Sequence, residues 1–245
     1  MSTVQQTLSG LRQLKLGGMA DAYQLQLDQP KLNASSFDER LAMLVDREIS
    51  NRDTRRIQRL LKGTGFPESA VLEDLDDRAG RGLDKSLLAT LAGCQWILRH
   101  QNLNILGPTG VGKTWLACAF GNQACRHGKT VLFQRLSLLL EELQIGHADG
   151  SFRKRLNQLS KYDLLILDDF GLAALNAHGR SDLLEVVDSR VPGRSTLITS
   201  QLPVTNWHDY LSGGNSTVAD AILDRLLGGS LRIPLKGESM RKTRS

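Results

Sequence analysis

The stretch GPTGVGKT, Gly107–Thr114, lies between the apolar run LNIL (Leu103–Leu106) and the helix-like WLACAFGNQACR (Trp115–Arg126). It satisfies GxxxxGK[ST] in the setting that gives the pattern meaning, with a strand before it and a helix after it. Gly107, Gly110 and Gly112 let the backbone curl so that its N–H groups converge on phosphate oxygens, an approach a Cβ would hinder. Pro108, Thr109 and Val111 complete the loop. The following helix adds the positive end of its dipole. Lys113 is placed to reach β- and γ-phosphates, and the Thr114 hydroxyl to ligate Mg²⁺. The expected ligands are therefore ATP and Mg²⁺.

Reading outward, TVLF (Thr130–Phe133), LLILDD (Leu164–Asp169) and TLITS (Thr196–Ser200) are further apolar runs, each separated from the next by enough chain for a crossover helix. The alternation predicts an α/β fold, a parallel sheet flanked by helices. A phosphate loop needs a second carboxylate near the metal. Asp168 stands at the carboxyl end of its strand, where such sheets place their ligands, and is expected to hold Mg²⁺ mostly through water. Asp169 is next in line to orient or deprotonate the attacking water. In TLITSQ, Thr199 and Ser200 are candidates to position that water, with Gln201 beside them; Ser200 is taken as the site residue. The segment Asp220–Leu227 reads as a helix with Ile222, Leu223, Leu226 and Leu227 on its apolar side and Arg225 near its end. Arg225 has two readings on residues alone: a surface ion pair, or a group that reaches a neighbouring subunit's γ-phosphate.

The first part of the chain, to about Lys62, reads as helical. Leu8, Leu11 and Leu14 share a face before Gly17-Gly18 interrupts the run, and Ser36 with Glu39 has capping-box spacing ahead of Leu41, Leu44, Val45 and Ile49. The apolar phase then shifts to Ile57, Leu60 and Leu61, which predicts a kink or break near Ser50-Asn51. Arg52, Arg55, Arg56 and Arg59 fall at i, i+3, i+4 and i+7, four guanidinium groups on one stripe, a pattern suited either to solvent or to a phosphate backbone. GTGFP, Gly63–Pro67, reads as a linker. The expected division is a helical DNA- or partner-binding domain over 1–66 and an ATPase domain over 67–245.

Composition narrows the class. The chain has 245 residues, 40% hydrophobic and 23% charged, with 31 Lys+Arg against 26 Asp+Glu, a net charge of +5. That is a globular profile, not a disordered one. Cys94, Cys118 and Cys125 lack metal-ligand spacing and read as buried thiols of a reducing compartment. No apolar run approaches the length that spans a bilayer and the N-terminus has no secretory pattern, so the expectation is a cytoplasmic protein with no membrane partner.

GPTGVGKT, LLILDDFG, TLITSQLP, ADAILDRLLGGS and GESMRK, in this order, resemble the IstB-like ATPases encoded beside the transposase in certain bacterial insertion sequences. The N-terminal LRQLKLGGMADAY and FDERLAMLVDREISNRDTRRIQRLLK resemble the same family. That family is a branch of the initiator-type AAA+ ATPases, beside DnaC-type helicase loaders. The resemblance implies a P-loop AAA+ core preceded by a small all-α domain, and an ATP-dependent protein that forms a ring or helical homo-oligomer on duplex DNA. It implies further that the assembly selects and deforms target DNA, recruits and stimulates its cognate transposase, and disperses on ATP hydrolysis. By the same likeness Arg225 becomes an arginine finger acting in trans and Arg241 a second sensor. Two DNA surfaces are implied: the Arg52, Arg55, Arg56, Arg59 stripe, and Arg153, Lys154, Arg155 and Lys161 in SFRKRLNQLSK. Aromatic residues are only 5% of the chain, so phosphate contact and bending are favoured over base stacking. The sequence departs from the AAA+ pattern at Asp169, where a Glu is usual; the shorter side chain implies slow or partner-dependent hydrolysis. The alternatives are a DnaC-type helicase loader and, less favoured, a small-molecule kinase.

Overall fold

A computed structural model describes residues 2–29, 32, 35–75 and 82–240. The chain divides into two compact units, Met1–Arg59 and Leu60–Ser245.

The first unit is helical: α1 (Thr3–Gln13), α2 (Gly17–Asp28) and most of α3 (Phe37–Lys62). The expected capping box opens α3, with Ser36 N–H donating to Glu39 Oε2 at 2.8 Å and Glu39 N–H to Ser36 Oγ at 3.3 Å. The break expected near Ser50-Asn51 is absent, and α3 is one helix of 26 residues. The phase of its apolar residues shifts because Leu60 and Leu61 belong to the core of the second unit, not because the helix ends. Gly17-Gly18 starts α2, and a Cβ on Gly18 would come within 2.7 Å of Arg47 O and 2.8 Å of Glu48 Cα, so glycine permits the close crossing of α2 and α3. Buried Glu48 fixes that crossing. It accepts from Gly18 N–H at 2.7 Å and Met19 N–H at 3.2 Å, satisfying donors at the start of α2, and from Arg52 Nε at 2.7 Å.

The second unit continues through α4 (Lys85–Ala92), α5 (Gln95–Leu98), β1 (Leu103–Leu106), α6 (Lys113–Arg126), β2 (Val131–Arg135), α7 (Leu136–Asp149) and α8 (Phe152–Leu159). After these come β3 (Leu164–Phe170), α9 (Ala177–Asp188), β4 (Ser195–Ser200), α10 (Trp207–Ser212), α11 (Ser216–Leu227) and β5 (Leu231–Pro234). The five strands form one parallel sheet in the order β2-β3-β4-β1-β5. Period-two alternation splits each apolar strand between two cores. Leu164 and Ile166 join Leu103, Ile105, Leu116 and Phe120 on one face, whereas Leu165 and Leu167 join Ile198, Leu183 and Ile222 on the other.

The stretch read as a linker is packed in place. Thr64 O accepts from Phe133 N–H at 2.7 Å on β2, the Phe66 ring meets Phe133 edge-on at 6.4 Å, and Gly121 of α6 has no room for a Cβ beside the Phe66 ring. All three cysteines are free and buried, and burial pushes their thiols up to about 11 to 12, which keeps them unreactive.

Candidate functional site

The phosphate loop leaves the carboxyl end of β1 and enters α6 through Gly112, whose φ of +91° suits glycine. Lys113, the first residue of α6, is 7% exposed and its Nζ donates to Gly107 O and Pro108 O, each at 2.8 Å. The ammonium is thus drawn over the mouth of the loop. Thr109 Oγ1 donates to Gln201 Oε1 at 2.6 Å, and Gly107 N–H to Ser200 O at 3.1 Å, which fastens the loop to the end of β4.

The carboxylates come from an irregular point in the sheet. Leu167 pairs with Ile198 and Phe170 with Ser200, so Asp168 and Asp169 together stand opposite Thr199. Two residues against one is a β-bulge, a device that re-aims side chains next to functional sites. Asp169 takes up the extra residue with φ +60°, a conformation aspartate tolerates better than most residues. Thr199 fills the space between the two acids: its hydroxyl donates to Asp168 Oδ1 and accepts from Asp169 N–H at 3.1 Å. On its other side Asp168 receives the Thr114 hydroxyl, 3.0 Å from Oδ1 and 3.1 Å from Oδ2. Asp168 is 2% exposed, and burial raises its carboxyl above the ordinary range, opposed by the hydrogen bond from Thr199. Asp169 lies nearer the surface, with Arg135 Nε 4.0 Å from its Oδ2.

Ser200, the residue taken from sequence, does not join this group. Its side chain is buried, donates to Phe170 O at 2.6 Å and accepts from Leu202 N–H at 3.0 Å, so it braces the strand end. The hydroxyl in the site is that of Thr199. The reason is strand alternation: Ile166 pairs with Leu197 and Leu167 with Ile198, so Asp168 and Thr199 share the face of Leu164, Ile166 and Leu197, while Ser200 falls on the opposite face with Ile198. Arg135 escaped the sequence reading altogether. Its position was readable only as the last residue of β2, in register with Asp168.

A scan against family models matches residues 9–245 to the family described as IstB-like ATP binding protein. The chain belongs to the IstB-like ATP-binding family. It is similar to the ATP-binding protein of insertion sequence IS1162 from Pseudomonas fluorescens, 56% identical over 200 residues, 81% of this chain and 87% of the relative. It is also similar to that of insertion sequence IS21 from Pseudomonas aeruginosa, 32% identical over 231 residues, 94% of this chain and 86% of the relative. Among solved structures it resembles a DnaC helicase loader at 20% identity and a TM-score of 0.56, covering 70% of this chain and 98% of the loader. AMPPCP-bound DnaA from Aquifex aeolicus gives 17% identity and a TM-score of 0.56, covering 72% of this chain and 53% of DnaA. The core is thus a P-loop AAA+ fold, and ATP binding follows from the family.

Among the remaining candidates of this IstB-like protein, Arg225 lies apart from the nucleotide loop. Arg225 sits near the end of α11, where its carbonyl accepts from Asn102 Nδ2 at 2.7 Å. Asn102 immediately precedes β1, and the loop follows the other end of that strand, about 13 Å away for four residues. The Arg225 guanidinium pairs with Asp188 at the end of α9 and donates to Ala221 O at 2.8 Å. Arg52, Arg55, Arg56 and Arg59 are all exposed on α3, with Arg52 held by Glu48. On α8 and just past it, Arg153, Lys154 and Lys161 are exposed, while Arg155 is half-buried and bonded to Glu142 at 3.3 Å and Ser151 at 3.2 Å. Arg241 lies outside the described residues. No helix among the described residues is long and apolar enough to cross a membrane.

Proposed function

We propose that this chain is an ATP-hydrolysing switch that assembles on duplex DNA, selects and deforms a target site, and recruits and stimulates its transposase, with hydrolysis dispersing the assembly. The observation that carries this reading is the separation of Arg225 from its own phosphate loop. An arginine anchored at the amino end of the sheet does not serve the nucleotide at its carboxyl edge, but suits the nucleotide of a neighbouring copy. An arginine supplied in this way accelerates phosphoryl transfer by about 10³ to 10⁵ in comparable NTPases.

The site residues divide the work. Lys113 and the loop N–H groups hold the β- and γ-phosphates. The Thr114 hydroxyl and the Asp168 carboxylate, already 3.0 Å apart, are hard oxygen donors that fit Mg²⁺, which takes one or two protein oxygens and completes its shell with phosphate and water. When bound, that ion supplies charge to the phosphates. Asp169 orients and deprotonates water, and Thr199 holds both acids in register. For DNA, the exposed Arg55, Arg56 and Arg59, with Arg153, Lys154 and Lys161, contact the backbone; Arg52 is committed in part to Glu48. The insertion-sequence names of the relatives support the transposase over other partners.

Mixing Lys113→Ala subunits, which lack nucleotide, with Arg225→Ala subunits tests the reading, because some interfaces then hold one intact site. We expect each variant alone to be inactive in DNA-stimulated ATPase and the mixtures to recover part of the rate. No recovery at any ratio refutes completion in trans. Preference for single strands together with capture of a replicative helicase would instead favour the loader reading.

A further inference from the structure

Two glycines of the phosphate loop are fitted against the chain that follows β5. β5 lies beside β1, and Leu235 N–H continues their pairing by donating to Leu106 O at 2.7 Å, so the two segments leave the sheet together. A Cβ on Gly107 would overlap Leu235 O and stand 3.1 Å from Leu235 Cβ. On Gly110, with φ +82°, a Cβ would overlap Ser239 Oγ and stand 2.7 Å from Ser239 Cβ and 3.2 Å from its Cα. One residue on, Met240 N–H donates to Gly110 O at 2.9 Å. In a trans peptide the C=O and the next N–H point to opposite sides. A Gly110 carbonyl tied to Met240 therefore turns the Val111 N–H away from Met240.

We propose that Leu235–Met240 is a strap that sets the shape of the phosphate loop, with Ser239 and Met240 as positioning residues for nucleotide binding. Gly110 is then glycine for two reasons, its left-handed backbone and the seat it gives Ser239. The strap acts on affinity by holding the loop's donors in one arrangement before the phosphates arrive, which lowers the ordering cost of binding. This rests on the reading that the loop binds ATP.

The test is titration of the full chain with a fluorescent ATP analogue. Saturable binding that Lys113→Ala abolishes establishes the underlying reading, and absence of binding by the unaltered chain overturns both. Met240→Pro deletes one hydrogen-bond donor outside the loop and should weaken binding about three- to tenfold at unchanged helical circular dichroism. Gly110→Ala should weaken it about tenfold or more, and adding Ser239→Gly, which removes the two nearest atoms, should restore at least about threefold of that loss. A general loosening of the fold would not be repaired by removing a second side chain. Unchanged affinity in Met240→Pro, or no restoration in the double variant, overturns the strap. Should Gly110→Ala fail to fold, Met240→Pro alone decides.

Discussion

Replacing Thr199 with valine keeps the shape of the side chain and removes one hydroxyl. That hydroxyl makes two bonds, one to the buried Asp168 carboxylate and one from Asp169 N–H at 3.1 Å. A hydrogen bond to a charged group is worth about 1.5–3 kcal/mol, which at about 1.4 kcal/mol per decade corresponds to a loss of about 10- to 150-fold if it acts in the transition state. Losing the Thr199 bond also removes the strongest influence that holds the Asp168 carboxyl down against burial. Phosphate release at saturating ATP and DNA should therefore fall by about that factor, while the affinity for ATP, set mainly by Lys113 and the loop, changes less. The control is Ser200→Ala. Among the described residues its hydroxyl bonds Phe170 O and Leu202 N–H and neither acid, so its removal should lower the melting temperature by about 2–4 °C per kcal/mol lost and leave turnover per folded chain near normal. The assignment is refuted if Ser200→Ala stops turnover at an unchanged melting temperature while Thr199→Val turns over normally.

Asp169→Asn preserves the short polar side chain that tolerates φ +60° but cannot accept a proton; it should bind ATP normally and slow hydrolysis by about 10²- to 10⁴-fold in a phosphate-release assay, and full activity would remove Asp169 from the base's role. In the helical unit the Arg52 guanidinium, with Met19 and Gly18 N–H, holds the Glu48 carboxyl below its ordinary 4.5. That stabilisation is complete above pH 4.5 and is lost as pH falls through the folded value. The opening constant of α2, taken from amide exchange divided by the intrinsic rate at each pH, should accordingly rise as pH falls below 4.5 in the unaltered chain but not in Glu48→Gln, and an equal acid response in both would exclude Glu48 as the cause.

Four of the five strands in the sheet and the phosphate loop were legible because each was written locally: short apolar runs, glycines at the turn, Lys and Thr at the helix start; β5, LRIP, was not, because Arg232 and Pro234 interrupt its apolar residues. Asp168 was legible for the same reason, as the acid ending an apolar run. The choice between Thr199 and Ser200 was not, because it depends on the register of β4 against β3, which sets Leu197 beside Ile166 and so Thr199 beside Asp168, and two runs about 30 residues apart do not state their mutual register. The false break in α3 had the opposite origin. A change of apolar phase marks a change of packing partner, and only the structure shows that Leu60 and Leu61 serve a different core from Glu48. GTGFP failed as a linker because Thr64 and Phe66 find partners on β2 that lie about 70 residues downstream, beyond the reach of local composition.

On the proposed completion in trans, the placement of Arg225 at the amino end of the sheet and Lys113 at its carboxyl edge gives every chain two unlike ends of one reaction. Copies joined through such ends stack in a single direction, since the joining surfaces differ. An open stack of n chains then contains n − 1 complete sites, and its last member holds ATP that no neighbour can help to cleave. Closing the stack into a ring adds the missing site, whereas growth leaves one slow chain at the tip however long the row becomes. Turnover per chain should thus rise steeply over the first few additions and then level, so that a short row is set apart from a long one by its slow end alone.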